Sequence, residues 1–111
     1  MTLLYLNSDQ MGSGEPELGR KLLRIFLDKL ANSSQKVDLV GCVNSGVNLT
    51  TQPGAELESL KLLQEKGARI ASCGSCLDHL GKRDDLLIGE IGSMDDTVEV
   101  MFQADKIVRP N

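Results

Sequence analysis

Cys73 and Cys76 are separated by two residues, and of all residues in this sequence their type and spacing best suit a reactive site. An apolar stretch at 68–72, predicted to be a strand, precedes them, and 75–80 is predicted to be a short helix. The amides and dipole of a helix N-terminus stabilise an anion, so we expect the pKa of a thiol there to be lowered. Because the thiolate is the reactive form, such a pair can carry sulfur, exchange disulfides or bind a metal.

Metal binding and disulfide exchange each lack part of their usual pattern. A structural zinc site needs four ligands, and the chain adds only Cys42 and His79, with no second cysteine pair. We therefore predict no metal and no other cofactor. Thioredoxin-like proteins carry the pair early and have a later proline loop, whereas here no proline lies between Pro53 and Pro110. The cysteines could also be buried and unreactive, as free cysteines in a protein core often are.

Residues flanking the pair are the candidates for its pocket. We predict Asn44 and Gly46, which follow the second strand, as pocket walls, with Gly74 and Ser75 as binding residues within the motif. Gly74 would allow a tight turn and leave room for a bulky ligand. By contrast, we expect Cys42 to pack in the core.

Strand and helix alternate about five times along the chain, with short connections. Strands are predicted at 3–7, 37–43, 68–72, 85–88 and 106–109, helices at 17–31, 57–64, 75–80 and 94–104, and a loop or short extended piece at 47–51. This order predicts an α/β fold: a three-layer α/β/α domain over residues 1–111 with a five-stranded, mostly parallel sheet. Ligands bind such sheets outside the carboxyl ends of the strands. We therefore expect Cys73 at the rim of that crevice, and Glu90 after the fourth strand.

Composition excludes several classes of protein. The 111 residues carry a net charge of −4 without a basic stripe, which argues against binding nucleic acid or an anionic membrane surface. No apolar stretch approaches the roughly 18 residues that span a bilayer. The N-terminus lacks a basic region and is predicted to be a strand, so we expect a cytoplasmic protein. In a reducing compartment, three cysteines indicate reactive thiols rather than a disulfide framework.

Four motifs in order resemble the DsrE-like domain of the YedF group of sulfurtransferase-like proteins. They are SDQMGSG at 8–14 with ELG at 17–19, NSGVNL at 44–49, CGSCL at 73–77, and IGEI at 88–91 with Met94. The resemblance covers essentially the whole chain and implies a three-layer α/β/α fold and a role in intracellular sulfur relay. It also implies that Cys73 carries sulfane sulfur as a persulfide. Ser75 stands where the group usually has threonine.

The resemblance extends to partners and assembly. It implies sulfur donor and acceptor proteins, among them a TusA-like protein, an association with selenium metabolism, and homo-oligomers. We therefore interpret the chain as a sulfur carrier or sulfurtransferase-like protein in which Cys73 accepts sulfur and Cys76 is the resolving or auxiliary thiol. The alternatives are a non-catalytic binding or assembly module with incidental cysteines, and a dithiol redox protein.

Overall fold

Five short strands run parallel in one sheet of the computed structural model, which describes all 111 residues. They are β1 (Thr2–Leu6), β2 (Leu39–Cys42), β3 (Arg69–Cys73), β4 (Glu90–Gly92) and β5 (Lys106–Val108). The order across the sheet is β4-β3-β2-β1-β5, and every neighbouring pair is parallel. The predicted α/β fold is confirmed, and the sheet is wholly rather than mostly parallel.

Five helices connect these strands, together with short 3₁₀ turns at Asn44–Val47 and Arg83–Asp85. They are α1 (Pro16–Ala31), α2 (Asn48–Thr51), α3 (Ala55–Glu65), α4 (Gly74–His79) and α5 (Met94–Gln103). The Glu15 carboxylate caps α1 by accepting the amides of Glu17 and Leu18. None of the helices combines the length and the apolar content needed to cross a membrane.

The main core lies between one face of the sheet and helices α1 and α3. Side chains alternate along a strand, so β1, β2 and β3 each send every second residue to this face. These strand residues meet leucines that recur every three or four positions on the two helices. The fully buried members are Leu4, Leu6, Val40, Leu23, Leu27 and Leu60.

The opposite face of the sheet is covered by α5 alone, and none of the residues of α5 is buried. Met94, Val98 and Phe102 recur every four residues and point away from the sheet, and Phe102 is 90% exposed. In the middle of this face Gly41 pairs with Ala71 in register, so few side-chain atoms project from the sheet there. A groove of about 350 Å³ is left between the sheet and α5.

Two predicted elements are wrong. Residues 85–88 do not form the fourth strand: the Leu87 amide instead donates to the Thr50 carbonyl at 2.9 Å. The chain then turns at Gly89, which has φ +76°, and β4 follows. Glu90 consequently lies at the amino end of β4, where it pairs with Arg69, rather than at the carboxyl edge. Residues 47–51 are also helical rather than extended.

Candidate functional site

The cysteine pair lies at the carboxyl edge of the sheet, as the sequence predicts. Cys73 is the last residue of β3, and Cys76 lies in the first turn of α4. Both thiols are free, and Cys73 is close enough to Cys76 to raise its pKa. Cys73 is only 6% exposed, whereas Cys76 is half-buried. The two thiols are therefore neighbours that differ in their access to solvent.

Asn44 supplies a directed donor to this pair. Its backbone amide donates to Cys76 Sγ at 3.1 Å. Asn44 is also the one non-glycine residue with positive φ, at +52°. This left-handed conformation carries a steric cost for residues with a side chain, although asparagine tolerates it better than most. Strained backbone of this kind is concentrated at functional sites, and here it directs an N–H at a sulfur atom.

The expected lowering of a thiol pKa is wrong for Cys76. Burial raises the pKa of Cys76 above its ordinary value, and the neighbouring Cys73 adds to the rise. The amide of Asn44 acts in the opposite direction but does not overcome burial. Helix α4 has only six residues, so its dipole offers little compensation. Cys76 is accordingly protonated at neutral pH.

The predicted pocket residues have different surroundings. Gly46 is buried, and a Cβ there would lie 2.1 Å from the Leu6 carbonyl oxygen, so close packing of the main chain requires this glycine. The room expected at Gly74 is filled, because Arg83 and Ile91 each lie 3.1 Å from the position of a Cβ. Ser75 is exposed beside the pair.

Neither the third thiol, Cys42, nor the imidazole of His79 forms a hydrogen bond with the pair. Cys42 is 1% exposed in the main core, and burial raises its pKa to about 12. His79 is exposed at the end of α4. The structure brings together no group of three His, Cys, Asp or Glu side chains that could hold a metal ion. Cys42 is thus a core residue, as predicted from its strand.

The groove under α5 reaches Cys73 at one end and was not predicted from the sequence. Its floor includes Tyr5, Gly41 and Ala71, and Gly92 lies beside Cys73 in register. The α5 side contributes polar residues: Ser93, Asp96, Thr97, Glu99 and Gln103. A glycine inside a strand often marks a close approach to the backbone, so Gly41 was the available signal.

A polar network not predicted from the sequence supports the turn that contains Asn44. Lys82 Nζ donates to Asn48 Oδ1 at 2.6 Å, and Asn48 Nδ2 donates to Asp9 Oδ2 at 2.9 Å. The Asp9 amide in turn donates to Ser45 Oγ at 3.2 Å. The network joins three separate segments and holds the 3₁₀ turn against β1. It helps to fix the donor that faces Cys76.

Alkylation of the folded protein with iodoacetamide should distinguish the buried cysteine from the accessible one. We expect Cys42 to remain unmodified from about pH 7 to pH 10, because its thiol is buried and neutral there. The rate at Cys76 should still be rising at the upper end, since its pKa is raised and only the thiolate reacts. Peptide mass spectrometry measures both, with guanidinium-unfolded protein as the control. Rapid modification of Cys42 in the folded state would contradict the assignment.

Solved structures of other proteins share this fold. The ychN protein from E. coli has a crystal structure that matches with a TM-score of 0.66 at 20% identity, covering 97% of each chain. The structure of MTH1491 from Methanobacterium thermoautotrophicum, described as a protein of unknown function, matches with a TM-score of 0.71 at 21% identity, covering 98% of this chain and 97% of that one. At these identities the likeness shows the fold alone. Comparison with curated proteins gives no match. The sequence profile of the DsrE/DsrF-like family matches residues 20–110, and the chain belongs to that family.

Proposed function

We propose that this chain, acting as one domain over residues 1–111, is a small cytoplasmic sulfur carrier that holds sulfane sulfur as a persulfide on Cys73. Membership of the DsrE/DsrF-like family indicates a role of the sulfur-relay kind. Cys76 is the auxiliary thiol in this proposal, and no cofactor takes part. Sulfur donor and acceptor proteins, a TusA-like protein among them, would be its partners.

The placement of two free thiols at the carboxyl edge, with Cys73 at the end of β3 and Cys76 in the first turn of α4, is the observation that carries this proposal. A persulfide needs a thiol that a donor can reach and surroundings that stabilise an additional anionic sulfur. Cys73 borders an open groove, and the amide of Asn44 lies next to the pair. Asn44 contacts Cys76 and Ser75 lies between the two cysteines in the chain, whereas Gly46 and Gly74 would act through the main-chain packing they permit.

Intact mass after exposure to cysteine hydropersulfide tests the proposal. We expect the original protein to gain the mass of sulfur, and Cys73→Ala to gain none. Cys76→Ala and the core variant Cys42→Ala should still gain it, because neither removes the accepting thiol. The gain should disappear on treatment with dithiothreitol, since a persulfide is reducible.

The same measurement separates the two rival functions. Absence of any gain in the original protein would contradict the carrier and favour a binding or assembly module. Loss of two hydrogens on mild oxidation, without sulfur uptake, would favour a dithiol redox protein. The exposed apolar residues Met94, Val98 and Phe102 on α5 support self-association as part of the binding alternative.

A further inference from the structure

We propose that sulfur enters through the groove onto Cys73, passes to Cys76, and leaves the protein from Cys76. This inference rests on the proposed persulfide on Cys73 and adds a direction to it. It makes Cys76 the delivery site rather than only a resolving thiol. The donor it implies is a hydropersulfide of low molecular weight, which takes the place of a donor protein and leaves proteins as the acceptors.

The two thiols are accessible from different sides of the sheet edge. Cys73 lines the groove under α5 and is 6% exposed, so a folded protein partner has almost no access to its sulfur. Cys76 and Asn44 are not among the residues lining the groove. Cys76 is half-buried beside the exposed Asn44 at the carboxyl edge. A small donor can therefore reach Cys73, whereas a protein acceptor can approach only Cys76.

The groove has the size and charge to select a class of donor. A volume of about 350 Å³ is at the lower end of the range of small-molecule sites. Along its rim Arg69 is paired with Glu90, while Asp96 and Glu99 have no ionic partner. The net negative charge disfavours a dianion such as thiosulfate. A donor with a smaller negative charge, such as cysteine hydropersulfide, is repelled less.

Both chemical steps are sulfur exchanges that need no oxidant or reductant. In the first, the Cys73 thiolate attacks the terminal sulfur of the donor R–S–SH. A new S–S bond forms, the S–S bond of the donor breaks, and R–S⁻ leaves and takes up the proton released by Cys73. In the second, the Cys76 thiolate attacks the terminal sulfur of the Cys73 persulfide. The first S–S bond breaks, and Cys73 leaves as a thiolate that receives the proton from Cys76.

The existing contacts favour the second step. Cys73 ends β3 and Cys76 lies in the helical turn that follows, so rotation of the side chains can bring the terminal sulfur of a Cys73 persulfide to Cys76. The Asn44 amide, 3.1 Å from Cys76 Sγ, favours negative charge on that sulfur as its proton leaves. Cys42 cannot compete, because it lies on the core face of the sheet.

Locating the added sulfur over time tests the order of transfer. Trypsin cleaves after Arg69 and Lys82, so both cysteines fall in the peptide 70–82, and fragmentation assigns the sulfur to one of them. After a short exposure to cysteine hydropersulfide and trapping with iodoacetamide, we expect the sulfur on Cys73. It should later be shared with Cys76. Appearance on Cys76 first, or equally in Cys73→Ala, would overturn the proposed direction.

Acceptors of two sizes test the role of Cys76 in delivery. Loaded Cys76→Ala should still pass sulfur to free cysteine, which can enter the groove, but should pass it to ubiquitin carrying one introduced cysteine about tenfold more slowly than the original protein does. Cys76→Ser, which keeps the size of the side chain, should behave in the same way, and Cys42→Ala should match the original protein. Equal delivery to ubiquitin from Cys76→Ala would overturn the inference. Failure of the original protein to load any sulfur would instead contradict the proposed function.

Discussion

Replacing Gly46 with alanine is expected to lower the free energy of unfolding by about 3 kcal/mol, the upper end of the usual cost of overpacking. The added Cβ would lie 2.1 Å from the carbonyl oxygen of Leu6 and 3.0 Å from its carbon. Both are main-chain atoms of a central strand, which cannot move without disturbing the pairing of β1 with β2. Urea denaturation followed by circular dichroism measures the change.

Gly14→Ala is the matched control, because nothing lies within 4 Å of a Cβ at that position and its φ is not positive. We expect it to change stability by less than about 0.5 kcal/mol. The Gly46 variant should also lose part of the difference in alkylation between Cys76 and Cys42, since its 3₁₀ turn carries the donor to Cys76. Equal stability of the two variants would show that β1 adjusts easily and would contradict the packing argument.

A larger side chain in the groove should block access to Cys73 without lowering the stability of the fold. In Gly41→Leu, the new side chain would extend from the centre of the floor into the groove. We expect the rate of sulfur loading from cysteine hydropersulfide to fall about tenfold or more, because the donor loses its path to the thiol. Stability should not fall, since glycine inside a strand is itself unfavourable and the nearest atoms, on Leu3 and Tyr5, lie 3.8 and 4.0 Å from the Cβ position.

Gly41→Ala controls for the change in backbone freedom, because a single methyl group leaves most of the groove open. Stopped-time intact mass measurement gives the loading rate for each variant, and thermal unfolding checks the fold. Iodoacetamide modification of Cys76 should be the same in both, since Cys76 lies outside the groove. Loading at the original rate in a stably folded Gly41→Leu would show that the donor reaches Cys73 by another route.

The fold was predictable where local patterns and tertiary packing agree. In α1, leucines at helical spacing, an acidic cap and a proline at the first position all favour the same helix. Around β4 the local sequence pattern and the tertiary packing disagree. The run of Leu86, Leu87 and Ile88 is more apolar than Glu90–Gly92, yet only the latter pairs with β3. Ile88 instead packs into the core from a loop. Such pairing depends on distant residues, which the local pattern does not contain.

The position of the cysteine pair in the fold was predictable, but the electrostatics around it were not. The spacing and position of Cys73 and Cys76 placed them correctly at the carboxyl edge. The pKa of Cys76 and the burial of Cys73 depend on neighbours from other parts of the chain, such as the turn at Asn44 and the groove under α5. The left-handed conformation of Asn44 has no local signal beyond the residue type. Helix position alone therefore overstated the acidity of the Cys76 thiol.

The alternation of side chains along β2 has a consequence for how this protein can change over evolutionary time. Gly41 faces the groove, and its neighbours Val40 and Cys42 face the main core. A substitution at Gly41 therefore alters the space in the groove, whereas a substitution at Val40 or Cys42 alters the packing of the core and the stability of the fold. Selection can act on the two properties almost independently. Under the proposed function, a lineage would exchange one donor for another through groove-facing residues such as Gly41 and Ala71, with little loss of stability.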